Sequence, residues 1–128
     1  MSANHSGSVE ITEPALLIRI NRTFRAGMSD VALYEATRGI WKLGTRREHA
    51  HIALAVFEGR VIEVFEIQTW HPAGTTPYKT RRFDDVSGRW EFVGCVAPAG
   101  VRDKYVGQSV ADYFSYGAAN PIQYVNVA

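Results

Sequence analysis

The stretch from His51 to Trp70 constrains this chain more than any other part of it. His51 to Phe57 and Val61 to Trp70 are both apolar, β-branched and aromatic, and Glu58-Gly59-Arg60 between them supplies a glycine for a tight reverse turn. The two runs therefore predict an antiparallel hairpin. Along the first run Ile52, Leu54 and Val56 fall on one face while Ala53, Ala55 and Phe57 fall on the other. A strand apolar on both faces belongs in the interior of a sheet, covered from both sides.

The remaining elements are read around that hairpin. Residues 1–14 are small and polar, end in Glu13-Pro14 and read as a flexible tail, so the domain is expected to span 15–128. Leu16 to Ile20 is a β-rich run. Ser29-Asp30 reads as an N-cap followed by an acid in the first turn, opening a helix that ends at Arg38 with Gly39 as a left-handed C-cap. Pro72, Gly74 and Pro77 mark a long loop before a strand from Trp90 to Ala97, where Gly94 marks a bulge or a close backbone approach. Ser109 with Asp112 three residues on resembles a capping box, which predicts a second helix ending near Gly117. Ile122 to Val127 closes the chain as a strand. This order of elements predicts an α+β fold, a small mixed β-barrel or half-barrel with two or three short helices. A parallel α/β sheet does not fit it.

At 128 residues the length suits one domain with a single core. Lys and Arg number 14 against 13 Asp and Glu, so a nucleic-acid surface has to come from local clustering. The lone Cys95 closes no intramolecular disulfide and gives no zinc spacing; in its apolar strand it reads as a small buried hydrophobe. No stretch approaches the roughly 20 apolar residues needed to span a bilayer, and no secretory leader is evident, so a cytoplasmic protein with no membrane partner is expected.

Two basic groups lie in predicted connections: Lys42, Arg46 and Arg47 after the first helix, and Lys79, Arg81 and Arg82 in the long loop. Cations in loops neutralise phosphates without being buried, although a solvated charged surface has the same appearance. Aromatic residues sit beside them. Trp41 precedes Lys42, Trp70 ends the hairpin strand and Tyr78 precedes Lys79, while Trp90, within a strand, reads as core. Aromatic and basic residues together outline a stacking surface for bases. Asn120 before Pro121 offers an amide to a base edge, or is simply a turn residue.

The segment Ala36-Thr37-Arg38-Gly39-Ile40-Trp41, then Arg46-Arg47-Glu48 and a strand hairpin, resembles the Gly-x-Trp entry of YTH and EVE domains of the PUA-like superfamily. Trp90 to Ala97 is similar to the strand on which those barrels return. The resemblance covers roughly residues 15–127 in element order, through short motifs. It implies a PUA-like barrel that holds a modified or flipped base, with Trp41 as the first wall of the cage and Gly39 allowing the turn that presents the ring. Trp70 is the candidate second wall, although the second aromatic of those domains usually lies later in the chain. The implied partner is DNA or RNA, and similar domains accompany nucleases.

Other chemistries find less support. His49 and His51 share a strand face and His71 is a possible third ligand, but no motif fixes it, and no metal or cofactor is expected. No nucleophile elbow or phosphate-cradling glycine loop is present. The similar ASCH branch includes amidohydrolases that act on acylated nucleosides through a lysine, a threonine and a glutamate. Lys42, Thr45 and Glu48, with Glu63 and Glu66, are the residues that would supply such a site here. Tyr105, Tyr113, Phe114, Tyr116 and Tyr124 outline a third alternative, a protein-interaction surface. The expectation is a nucleic-acid-binding domain rather than an enzyme.

Overall fold

The computed structural model describes residues 7–115, 117 and 119–128. Among these residues the strands are β1 (Ala15–Arg19), β2 (Gly39–Trp41), β3 (Ile52–Phe57), β4 (Arg60–Pro72), β5 (Trp90–Val96) and β6 (Ile122–Val125). The α-helices are α1 (Asp30–Arg38) and α2 (Ala99–Tyr105), and single 3₁₀ turns occupy Thr45–His49 and Ala111–Tyr113. The strands form one mixed sheet in the order β2-β5-β4-β3-β1-β6, with β1 and β3 parallel and the other pairs antiparallel. The fold is α+β, with a sheet curled into a half-barrel.

β3 is interior, as its sequence requires. Leu54 and Val56 pack with Leu17, Val64 and Tyr105 of α2 on one face, and Ala53 and Ala55 pack with Leu16, Ile18, Phe65, Phe92 and Ala36 of α1 on the other. The β3–β4 turn places Glu58 at φ 49° and Gly59 at φ 79°, the two left-handed positions of a type I′ hairpin. Opposite Gly94, β4 carries a register shift between Ile67 and Thr69. A side chain at Gly94 would collide with the Glu66 carbonyl, which is the close approach the sequence suggested.

Five local expectations need correction. The second helix is α2, beginning after Pro98, while Ser109 is followed by one 3₁₀ turn. Pairing across the chain draws this segment out of a helix, because Val61 N–H donates to Gln108 O (3.0 Å) and Val110 N–H to Gly59 O (2.7 Å). Asp112 accepts instead from Ser8 N–H (3.1 Å), and its own N–H donates to the Ser8 hydroxyl (2.8 Å). Gly39 is extended at φ −170°, not left-handed, and starts β2, so Trp41 lies in a short strand antiparallel to β5. The final strand stops at Val125, before Asn126 at φ 58°.

Residues 8–14 are docked, not a free tail. Ile11 is buried, Val9 N–H donates to Ser109 O (2.9 Å), and Lys104 Nζ reaches Glu13 Oε2 (2.8 Å). Residues 1–6 of the expected tail lie outside the described residues. Cys95 is exposed on β5, not buried. Among the described residues no helix is long and apolar enough to cross a membrane.

Candidate nucleic-acid interface

β2 and β6 are the two edges of the sheet. Arg46, in the 3₁₀ turn before β3, donates through Nη2 to Val127 O (3.1 Å) and lies 4.3 Å from the centroid of the Tyr124 ring on β6. Trp41 and Tyr124 both pack against the core face that α1 covers. A cleft of about 530 Å³ opens at the C-terminal end of β1. Trp41, Arg19, Arg22 and Arg81 line it, with Ala36 and Pro121 among its apolar walls and no carboxylate among its described lining residues.

Each of these groups is held differently. The Trp41 indole N–H donates to Thr37 O (2.8 Å), so the ring presents π surface and carbon edges rather than a donor. Arg19 donates to Asn120 O (2.6 Å) and stacks over Phe114 at 4.6 Å. Arg22 is exposed in the connection from β1 to α1. Arg81 comes from the long loop after β4 and is half-buried, with Nη1 donating to both Glu35 O (2.5 Å) and Gly39 O (2.6 Å).

A buried polar network pins that loop against α1. Glu35, Arg38 and Glu91 are all buried. Glu35 accepts from Lys79 N–H (2.7 Å), Thr80 N–H (2.7 Å) and the Thr80 hydroxyl. Glu91 accepts from Gly74 N–H (2.9 Å), Thr76 N–H (2.8 Å) and the Thr76 hydroxyl. Burial pushes both carboxyls up, but these donors outweigh it, and with the Arg38 charge they hold both below their ordinary value. The Arg38 guanidinium lies over the rings of Tyr78 (4.2 Å) and Tyr34 (5.3 Å), and its Nε donates to Phe92 O (2.8 Å). Tyr34 caps the same edge of β5 by accepting from Gly94 N–H (2.9 Å). Burial raises the Tyr78 hydroxyl above its ordinary value.

The residues singled out from sequence are dispersed around this centre. Trp41 and Arg81 share the cleft. Lys42, Lys79 and Arg82 are exposed outside its lining, and Arg46 bridges to β6. Arg47 is buried, its guanidinium 3.4 Å from the Trp90 ring centroid and its Nη1 donating to Gly44 O (2.8 Å). Trp70 lines a different cleft, of about 430 Å³, with Glu48, His51 and Glu66. That cleft lies at the N-terminal end of β3, whereas the Trp41 cleft lies at the C-terminal end of parallel β1, so the two indoles do not form one cage. Asn120 uses its side-chain oxygen to accept from Ile122 N–H (2.9 Å), which makes it a turn residue. Arg19 and Arg22 carry no sequence signal of their own: Arg19 lies within the Leu16-to-Ile20 run and Arg22 in the connection that follows it.

The other chemistries are not assembled. Among the described residues no group of three or more His, Cys, Asp or Glu could hold a metal. Glu63 is paired with Arg102 (2.6 Å), and Lys42 and Thr45 lie outside the lining of the cleft that holds Glu48 and Glu66. Tyr105 is buried, Tyr113, Phe114 and Tyr124 are half-buried, and Tyr116 lies outside the described residues.

Fold and site together define an α+β half-barrel with an arginine-lined, tryptophan-walled cleft at the C-terminal end of β1. No known protein family, curated protein or solved structure matches this chain.

Proposed function

We propose that this chain is a cytoplasmic, PUA-like nucleic-acid-binding domain that takes one unstacked base, flipped out or in a single strand, against Trp41. Arg19, Arg22 and Arg81 hold the adjoining phosphates. The observation that carries the reading is the composition of the cleft: an indole and three guanidiniums with no carboxylate among the described lining residues. Its volume is in the range of small-ligand sites and suits one base withdrawn from its stack. Because the indole N–H is occupied by Thr37, Trp41 contributes stacking, and base or modification preference falls to other groups around the cleft. Arg46 and the exposed Lys42, Lys79 and Arg82 extend the positive surface beyond the cleft.

The test is fluorescence-anisotropy titration of labelled single- and double-stranded oligonucleotides, modified and unmodified, at low and high salt. Trp41→Ala is expected to weaken the preferred oligonucleotide roughly 5- to 150-fold, the equivalent of about 1–3 kcal/mol of stacking, with little change in salt slope. Equal losses on every oligonucleotide would remove the base pocket from the reading. Absence of binding at low salt would overturn the reading as a whole.

A further inference from the structure

The loop after β4 carries three cations within four residues, Lys79, Arg81 and Arg82, yet only Arg81 lines the cleft. We infer that Glu35, which lies outside the cleft, is the positioning residue that selects Arg81 and sets its guanidinium there. The inference rests on the reading of the cleft as a phosphate site.

The geometry works from both ends of one residue. The Glu35 carboxylate captures two successive backbone amides, Lys79 N–H on Oε2 and Thr80 N–H on Oε1, together with the Thr80 hydroxyl. Fixing two adjacent peptide planes determines the direction in which the next side chain leaves the backbone. The Glu35 main-chain carbonyl then accepts from Arg81 Nη1, as does the carbonyl of Gly39. The Glu35 carbonyl is one of the last four of α1, where the helix leaves acceptors open and its dipole favours a cation, and Gly39 follows directly as the first residue of β2. A slip of one residue in the loop would bring Thr80 or Arg82 to these acceptors and remove Arg81 from the cleft. Glu35 is buried and absent from the cleft lining, so its effect on a ligand passes through Arg81.

Substituting Gln for Glu35 keeps the size but sets an NH2 group against a backbone N–H, which breaks one of the two amide contacts. Thr80 is exposed, so Thr80→Ala and Thr80→Ser perturb the same anchor with little risk to folding, which is checked by circular dichroism. The first readout needs no ligand. Nitrogen-15 NMR of the arginine side chains is expected to show slowly exchanging Arg81 Nη protons, assigned by their loss in Arg81→Ala. Glu35→Gln should abolish that protection, Thr80→Ala should weaken it and Thr80→Ser should restore it. The second readout is the salt dependence of binding to a fluorescein-labelled oligothymidylate. Arg81→Ala is expected to lower the slope by about 0.7, the share of one single-strand phosphate. Glu35→Gln should lower it equally, with no further loss in the double variant.

Unchanged Arg81 protection in Glu35→Gln overturns the positioning role, and so do additive losses in the double variant. If the NMR result is as expected but wild-type protein does not bind the oligonucleotide, positioning stands and the phosphate reading of the cleft fails.

Discussion

Arg47 and Arg22 separate a cation that holds the fold from one that lines the cleft, and replacing each with Ala tests the distinction. Arg47 is 7% exposed, with its guanidinium carbon 3.4 Å from the Trp90 ring centroid and Nη1 on Gly44 O at 2.8 Å. A desolvated cation–π contact contributes about 2 kcal/mol. A hydrogen bond from a charged donor adds about 1.5–3 kcal/mol, and the two overlap because one guanidinium makes both. The 3.2 Å contact from Nε to the half-exposed Glu48 carboxylate adds little in high dielectric. Arg47→Ala is therefore expected to cost about 2–4 kcal/mol, which lowers the urea midpoint by about 1–2 M at an m-value of about 2 kcal/mol/M. Arg47→Lys should fall nearly as far, since an ammonium cannot reproduce the planar stack. Arg22 is exposed on a loop, and its replacement should change stability by less than about 0.5 kcal/mol. The binding assay should show the reverse. Arg22→Ala lowers the salt slope on a single-stranded oligonucleotide by about 0.7, and Arg47→Ala, measured where it is folded, leaves the slope alone. An Arg47→Ala protein with a wild-type urea midpoint and a lowered slope would refute the assignment.

Two further outcomes follow from the same contacts. Gly94→Ala forces a methyl group against the Glu66 carbonyl, backbone against backbone, and should cost about 1–3 kcal/mol, read as a fall of about 4–12 °C in thermal midpoint; an unchanged midpoint would contradict the close approach. Glu13, Glu35 and Glu91 are held below the ordinary carboxyl value of 4.5, so their contribution is complete above about pH 4.5 and is lost as pH falls through each lowered value. Urea midpoints measured from pH 7 downward should fall below that point, less steeply in Glu91→Gln, and a flat profile to about pH 3 would contradict the network.

What the sequence made legible was local. The Glu58-Gly59 turn, the two apolar faces of β3 and the Ser29 cap each depend on a few adjacent residues, whereas Gly94 announced a bulge or a close approach without naming its partner, Glu66. β2 was missed because three residues carry no periodicity and are held by pairing with β5, some 50 positions away. α2 was missed because Pro98 gives it no side-chain cap and Gly100 lowers its propensity, whereas buried Tyr105 and the Arg102–Glu63 pair fasten it to the sheet. Ser109 and Asp112 carried a genuine capping signal, but its partner was Ser8, at the other end of the chain. The basic groups were visible as composition. Which cation packs under Trp90 and which reaches the cleft was not, because Arg47 and Arg81 are directed by Gly44, Trp90, Glu35 and Gly39.

The cleft is assembled from segments far apart in the chain: the end of β1, Ala36 of α1, Trp41 of β2, the loop after β4 and the turn before β6. Because separate segments each contribute only one or a few residues, no sequence-local motif marks it. Three of its contributors are arginines, and two buried carboxylates, Glu35 and Glu91, are turned inward onto backbone amides of the loop that supplies Arg81. The positive character of the cleft therefore comes from where the acids are directed, in a chain whose formal net charge is only +1.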